Sequence, residues 1–168
     1  MKVLLSFAAI LCLLISCKNS TSTTPSNTAS YFVDWTVDGT HYHSTATYNM
    51  CGIYNKTSDA LLIMGSAKNS DSTSMSLSGA IDNLKTTGSY SGIAVGSPIW
   101  VKLSWVPTST DDYLSNDLTG ANATFIISSL AGPVTGSFTA KLAAPVTTGG
   151  VITYKFVNVQ GTFSVPVF

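Results

Sequence analysis

His41 and His43 stand two residues apart, and Asp34 precedes them on a neighbouring run of alternating residues. On an extended chain, positions two apart share a face. Tyr31 to Val37 alternates apolar and polar side chains, Asp38-Gly39 follows, and Thr40 to Tyr48 alternates again, which is the pattern of a β-hairpin. A two-residue turn at Asp38-Gly39 pairs Val37 with Thr40, Thr36 with His41, Trp35 with Tyr42 and Asp34 with His43. This register puts Asp34, His41 and His43 on one face and Trp35 and Tyr42 on the other. Two imidazoles and a carboxylate are a donor set for zinc or copper, and a cross-strand carboxylate fixes a histidine tautomer. On a solvated face the same three residues form no more than a weak exposed ion pair. Both readings stay open at this stage.

Other chemistry is sparse. Acid/base catalysis needs two carboxylates held across a cleft, or a nucleophile beside a base. Asp111 and Asp112 are adjacent, and adjacent side chains on an extended chain diverge, so they read as loop solubilisers. The chain has no Glu, and neither a Gly-x-Ser-x-Gly elbow, a His-Glu-x-x-His helix nor a Gly-x-x-x-x-Gly-Lys phosphate loop occurs. Cys51 reads as a small buried hydrophobe, with a reactive thiol as the alternative. Aromatic rings hold sugars and apolar ligands more often than charges do. Trp100 shares a strand face with Lys102 and Ser104, opposite Ile99, Val101, Leu103 and Trp105, and Phe32 lies beside Asp34. Trp100 and Phe32 are therefore the candidate binding aromatics.

The elements that position these residues are strands. Beyond the opening hairpin, strands are expected at Ala60 to Gly65, Met75 to Ile81, Ile99 to Trp105, Ala123 to Ser128, Val134 to Leu142, Val151 to Val157 and Gly161 to Val167. Gly136-Ser137-Phe138-Thr139 and Gly161-Thr162-Phe163-Ser164 echo one another, with each Gly placed to permit a bulge or close packing and each Phe pointing into the core. One or two helical turns are expected at Asp111 to Leu118. Eight or nine short strands imply an all-β fold, a single antiparallel sandwich or partly closed barrel over residues 31–168.

What precedes residue 31 reads as an address. Lys2 supplies a positive start, Val3 to Ile15 is apolar except for Ser6, and Ser16 precedes Cys17. Thirteen helical residues rise about 20 Å, too short for a roughly 30 Å hydrocarbon core. Leu14-Ile15-Ser16-Cys17 resembles the bacterial lipobox, which implies cleavage before Cys17, a lipidated Cys17 with diacyl and amide-linked (palmitoyl-type) chains, and an outer-membrane anchor. Lys18 to Ser30 contains ten Ser, Thr or Asn residues and reads as a flexible tether. With Cys12 in the signal and Cys17 lipidated, Cys51 has no disulfide partner.

Together, the lipobox, the polar tether, the Val37-Asp38-Gly39 opening turn and the paired Gly-[Ser/Thr]-Phe segments resemble small lipoproteins of unknown function from Bacteroidetes-type bacteria. The resemblance implies an envelope location and a β-fold, and it carries no activity. In that group acidic residues after the lipidated Cys accompany surface export. Here Lys18-Asn19-Ser20-Thr21 follows, which favours the periplasmic face. Asp71-Ser72-Thr73 resembles the group's O-glycosylation motif, with Ser72 as the acceptor.

Composition narrows the function further. Eight Lys face eight Asp, there is no Arg, and Ser and Thr number 46. The chain lacks the basic footprint of a nucleic-acid binder and the guanidinium forks that grip phosphate. It reads as a non-catalytic envelope binding module that takes a protein, glycan or lipid partner without a cofactor. The alternatives are a zinc- or copper-dependent hydrolase using His41, His43 and Asp34, and a lipocalin-like carrier of a small apolar ligand.

Overall fold

The structure is a computed structural model that describes residues 31–46, 51–68, 74–92, 100–108, 112–115 and 120–168. Among these residues none is helical. Eleven strands form one sheet: β1 (Tyr31–Val37), β2 (Thr40–Ala46), β3 (Gly52–Asn55), β4 (Ala60–Lys68), β5 (Ser74–Asp82), β6 (Gly88–Ser91), β7 (Trp100–Val106), β8 (Tyr113–Leu114), β9 (Asn122–Ser129), β10 (Val134–Thr148) and β11 (Val151–Val165). The order is β2-β1-β11-β10-β8-β7-β5-β4-β3, and β9 pairs with another stretch of β10 while β6 pairs with β9. The sheet therefore forks at β10 and curls into a half-barrel. All strand pairs within it are antiparallel, as expected of the alternating sequence.

The opening hairpin adopts the register expected from its turn. Val37 pairs with Thr40, Thr36 with His41, Trp35 with Tyr42 and Asp34 with His43. Asp38 and Gly39 take φ values of 46° and 87°, the left-handed pair that matches a two-residue turn to strand twist. Asp38 also clips the turn onto β11, because its N–H donates to the Asn158 carbonyl at 3.0 Å and its Oδ1 accepts the Asn158 N–H at 2.9 Å.

At the centre of the sheet the two Gly-[Ser/Thr]-Phe segments lie side by side. Gly136 pairs with Phe163, Ser137 with Thr162, and Phe138 with Gly161, so each glycine faces the other strand's phenylalanine. A Cβ at Gly161 would fall 2.2 Å from the Asp34 carbonyl oxygen and 2.5 Å from the Phe138 ring. One at Gly136 would fall 2.3 Å from the Ile126 carbonyl oxygen and 2.8 Å from the Phe163 ring. Both rings are buried, and Phe125 of β9 packs on them at centroid distances of 5.7 and 6.4 Å. The pairing of β9 with β10 shifts register between Thr135 and Gly136, so the bulge falls beside the glycine.

Two branches of the fork close on this core. Trp35 of β1 stacks on Tyr42 at 5.5 Å and meets Trp105 of β7 edge-on at 6.1 Å, with Gly65 of β4 beneath its ring. The Trp35 Nε1 is buried with no hydrogen-bond partner among the described residues, a cost of about 1–3 kcal/mol that the ring contacts must offset. The interior is filled: a Cβ at Gly79 would lie 2.8 Å from both the Leu103 and Phe125 side chains. The far edge is sealed by the chain end, where the Tyr54 and Lys56 N–H groups donate to the Pro166 and Phe168 carbonyls and Phe168 returns a bond to Tyr54.

Three features depart from the sequence-based expectation. Val151 to Val157 and Gly161 to Val167 are expected as two strands, but β11 is continuous through Gly161 because Phe138 fills the space its missing side chain leaves. Tyr113-Leu114 is a short strand pairing with β7 and β10 instead of a helical turn, since the Tyr113 ring is buried against the core. The short strands β3 and β6 carry too few alternating residues to stand out.

Gly161→Ala is expected to cost roughly 3 kcal/mol in urea unfolding, since its Cβ overlaps backbone as well as a ring. Ser137→Ala, on the outward face of the same motif, should stay within about 0.5 kcal/mol. The β3 seam makes a second prediction. Tyr54 is buried and donates to the Leu84 carbonyl at 2.7 Å; burial, then the Asp59 carboxylate, raises its phenol above the ordinary value of 10.0. Unfolding releases that proton more easily, so stability is full below about pH 10 and falls as pH rises through the range up to the folded value. Urea midpoints measured from pH 8 to pH 11 should show this decline, and Tyr54→Phe should make it shallower.

Candidate functional site

Because β2, β1, β11, β10 and β9 lie side by side, their outward side chains line up in rows across the sheet. One row runs His43, Asp34, Thr162, Ser137 and Ile126. The next runs His41, Thr36, Gln160, Thr139 and Thr124. Beyond them come Asp38, Asn158, Lys141 and Asn122. The alternation that points Val33, Trp35, Val159, Phe163 and Phe138 inward points these residues outward.

Two hollows lie along these rows. One of about 350 Å³ is lined by Asp34, Thr36, His41, Gln160, Thr162 and Ser137 together with Trp35, Phe138, Thr139 and Gly161. The second, of about 670 Å³, is lined by Asp38, Asn122, Lys141 and Asn158. Thr36, Thr139 and Gln160 border both, so the two form one continuous trough. The first hollow exposes mostly apolar surface between its hydroxyls, the second is rich in hydroxyls and amides, and Asp34, Asp38, Lys141 and His41 are the ionisable groups. Such a surface offers many neutral donors and acceptors and little net field.

The structure brings His41, His43 and Asp34 together as the hairpin register predicts. His43 Nδ1 hydrogen-bonds Asp34 Oδ1, and His41 Nε2 lies 3.5 Å from the same oxygen. Both imidazoles turn to one carboxylate oxygen and not to a shared vacant point. Among the described residues, no group of three or more His, Cys, Asp or Glu is arranged to hold a metal ion. The cluster is also open to water, with side-chain exposures of 65% for His41 and 35% for Asp34. In such surroundings the pairs contribute about 0.2–1 kcal/mol each. Asp34 and Asp38 both border the trough, Asp34 engaged by the two histidines and Asp38 by the Asn158 N–H.

Of the candidate aromatics, Phe32 is half-buried and stacks on the His43 ring at 6.5 Å, so its outward face is already partly covered. Trp100 opens β7 opposite Asp82, and its side chain lies outside the described residues, as do Cys17, Ser72 and Asp111. Asp112 is exposed beside β8. Cys51 is buried, with its thiol donating to the Ser44 carbonyl at 3.3 Å, which fits the reading as a small core residue.

Sequence reasoning missed most of the trough. Gln160, Thr162, Thr139, Lys141 and Asn158 sit at alternate positions of β10 and β11, and that alternation was the available signal. Reading it as one surface required knowing that Gly136 pairs with Phe163, which no single segment reveals. A second missed feature is apolar: Ile152, Tyr154 and Phe156 are exposed on the distal part of β11.

No family model, curated protein or solved structure matches the chain. The resemblance to small envelope lipoproteins therefore rests on its short motifs, and function must be argued from the trough and the surfaces around it.

The hydrogen-bonded cluster predicts that zinc titration will give superimposable melting curves for the wild-type chain and for the His41→Ala/His43→Ala double variant. A zinc-dependent rise of several degrees confined to the wild type would restore the metal reading.

Proposed function

We propose that the chain is an envelope lipoprotein, held at the outer membrane through lipid on Cys17 and a tether over 18–30, whose β-domain is a non-catalytic binding module. The ligand class we favour is a neutral, hydroxyl-rich glycan lying along the outward trough. The observation that carries this reading is the continuity of the two hollows over five strands, with Thr36, Thr139 and Gln160 shared between them.

Hydroxyls and amides suit this ligand because each sugar hydroxyl both donates and accepts. Asp34 and Asp38 add charge-assisted acceptors, and Lys141, with its Nζ 4.4 Å over the Phe156 ring, borders the other end. A filled interior supports a surface site over an internal one, since the space a lipocalin-like carrier would use is occupied by Leu103, Phe125 and Ile63 around Gly79. Geometry also suits anchoring. Phe32 pairs with Ser164, so the tether enters at one end of β11, roughly 43 Å by the strand rise from Val151 at the other. The trough lies between those ends.

Calorimetric titration with a panel of neutral oligosaccharides, peptidoglycan fragments included, tests the reading. At least one member should bind, and Gln160→Ala should weaken it about five- to tenfold, as expected for a lost hydrogen bond. Ser76→Ala, exposed on the other branch of the sheet, should leave affinity unchanged. Binding by no member of the panel, or equal losses at both positions, would remove the trough from consideration.

A further inference from the structure

The β10–β11 hairpin outruns the body of the protein. On β11 the ladder with β1 ends at Val159, and on β10 the ladder with β9 ends at Lys141, with one further pair between Ala143 and Leu114 of β8. From Pro145 to Phe156 the strand ladder among the described residues joins these two strands to each other alone, and they project as a ribbon through the Thr148-Gly149-Gly150-Val151 turn. A two-stranded ribbon alone is marginal in water. This one is also apolar on both faces: Val146 and Val151 are 41% and 63% exposed on one, and Ile152 and Tyr154 are 61% and 47% exposed on the other, with Phe156 behind them.

Its outer edge is open. Asn158 directs both its N–H and its carbonyl at Asp38, which fixes which residues of β11 face away from β10. By the alternation of an antiparallel ladder, the backbone groups of Ile152, Tyr154 and Phe156 face the same way and have no strand beside them among the described residues. Proteins commonly guard such an edge with an outstanding lysine. Lys155 does not serve here, because it sits on the other face with its Nζ 6.0 Å from the Tyr113 ring, drawn back towards the body.

We infer that this edge pairs with the same edge of a second copy of the chain, antiparallel and centred on Tyr154. The pattern is self-complementary. Ile152 then stands opposite Phe156 of the second copy, Tyr154 opposite its equivalent, and Lys155 opposite Thr153. No like charges are directly opposed, and no acidic side chain is buried, since the sequence has no Asp or Glu after Asp117. Six backbone groups per copy gain partners. A lipid surface fits less well, because those groups would enter hydrocarbon unpaired and the Thr147-Thr148-Gly149-Gly150 tip is polar. The patch is small beside the roughly 20–30 residues a side of a standard interface, so the dimer is weak, with dissociation in the micromolar range.

Opposed residues of a hydrogen-bonded antiparallel pair have Cα atoms about 5.5 Å apart, within reach of a disulfide. The full chain carrying Tyr154→Cys, oxidised in its native envelope, should therefore become a covalent dimer. Val146→Cys, exposed on the other strand, should behave as the wild-type chain, which controls for Cys17 and Cys51. Sedimentation equilibrium of the wild type in detergent should show reversible dimerisation. Tyr154→Pro, which removes the central outward N–H, should be monomeric with an unchanged circular dichroism spectrum. Equal cross-linking at both cysteines, or a monomeric wild type at concentrations on the order of 100 µM, would overturn the inference. So would wild-type binding to anionic phospholipid vesicles that Ile152→Lys abolishes without any dimer, an outcome that would assign the arm to a membrane.

Discussion

Two glycines and two phenylalanines in the middle of the β10–β11 hairpin set the geometry on which the remaining structure rests. Gly136 lies opposite Phe163 and Gly161 opposite Phe138, a local twofold arrangement about the Ser137–Thr162 pair. Each missing side chain does two jobs. It gives room to the facing ring, and it lets the carbonyl of an outer neighbour, Ile126 of β9 or Asp34 of β1, approach to a distance that a Cβ would forbid. A slip of one residue would send both rings to the solvent face and bring β-carbons against backbone oxygens, so the register of four strands is decided at one place. The trough is a consequence. Asp34 sits beside Gly161 because its carbonyl packs there, and Ser137 and Thr162 occupy the outward positions between the two rings.

Parts of this arrangement were legible in the sequence. The Asp38-Gly39 turn determines its hairpin register locally, since φ above zero at both central residues admits few alternatives, and the Asp34, His41 and His43 cluster follows from that register alone. The Gly-[Ser/Thr]-Phe echo was visible too, with both rings correctly turned inward. The reciprocity of the echo was not visible, because pairing between residues some 25 positions apart depends on how the whole hairpin aligns. The apolar run at Val151 to Val157 reads as a core strand by composition. Its exposure arises because the neighbouring strands end sooner, which no local pattern of β11 records. Tyr113 was misassigned for a related reason: a two-residue strand shows no period, and its burial depends on β7 and β10.

Low charge has a structural counterpart. A sheet face built from Thr, Ser, Gln and Asn can expose many hydrogen-bonding groups without the repulsion or screening effects that dense charge brings. The positions of those donors and acceptors are set by the backbone register. The few ionisable groups are spread along it, and the two histidines are occupied with Asp34.

The distal arm follows from the same interlock by a different route. Fifteen-residue strands are long for a domain of this size, and the part of the hairpin from Pro145 to Phe156 buries little against the body. It persists as a ladder because its base is clamped by the ring and glycine pairs, so that each further residue adds to an existing ladder instead of nucleating one. A ribbon supported only from its base gains stability from anything that covers its apolar faces and its open edge together. Side-chain packing on one face would leave the backbone groups of Ile152, Tyr154 and Phe156 unpaired, and a lipid surface would leave them unpaired in a worse solvent. An added strand satisfies both requirements at once, and the alternation of apolar residues around Tyr154 makes the edge of a second copy a strand of the right kind.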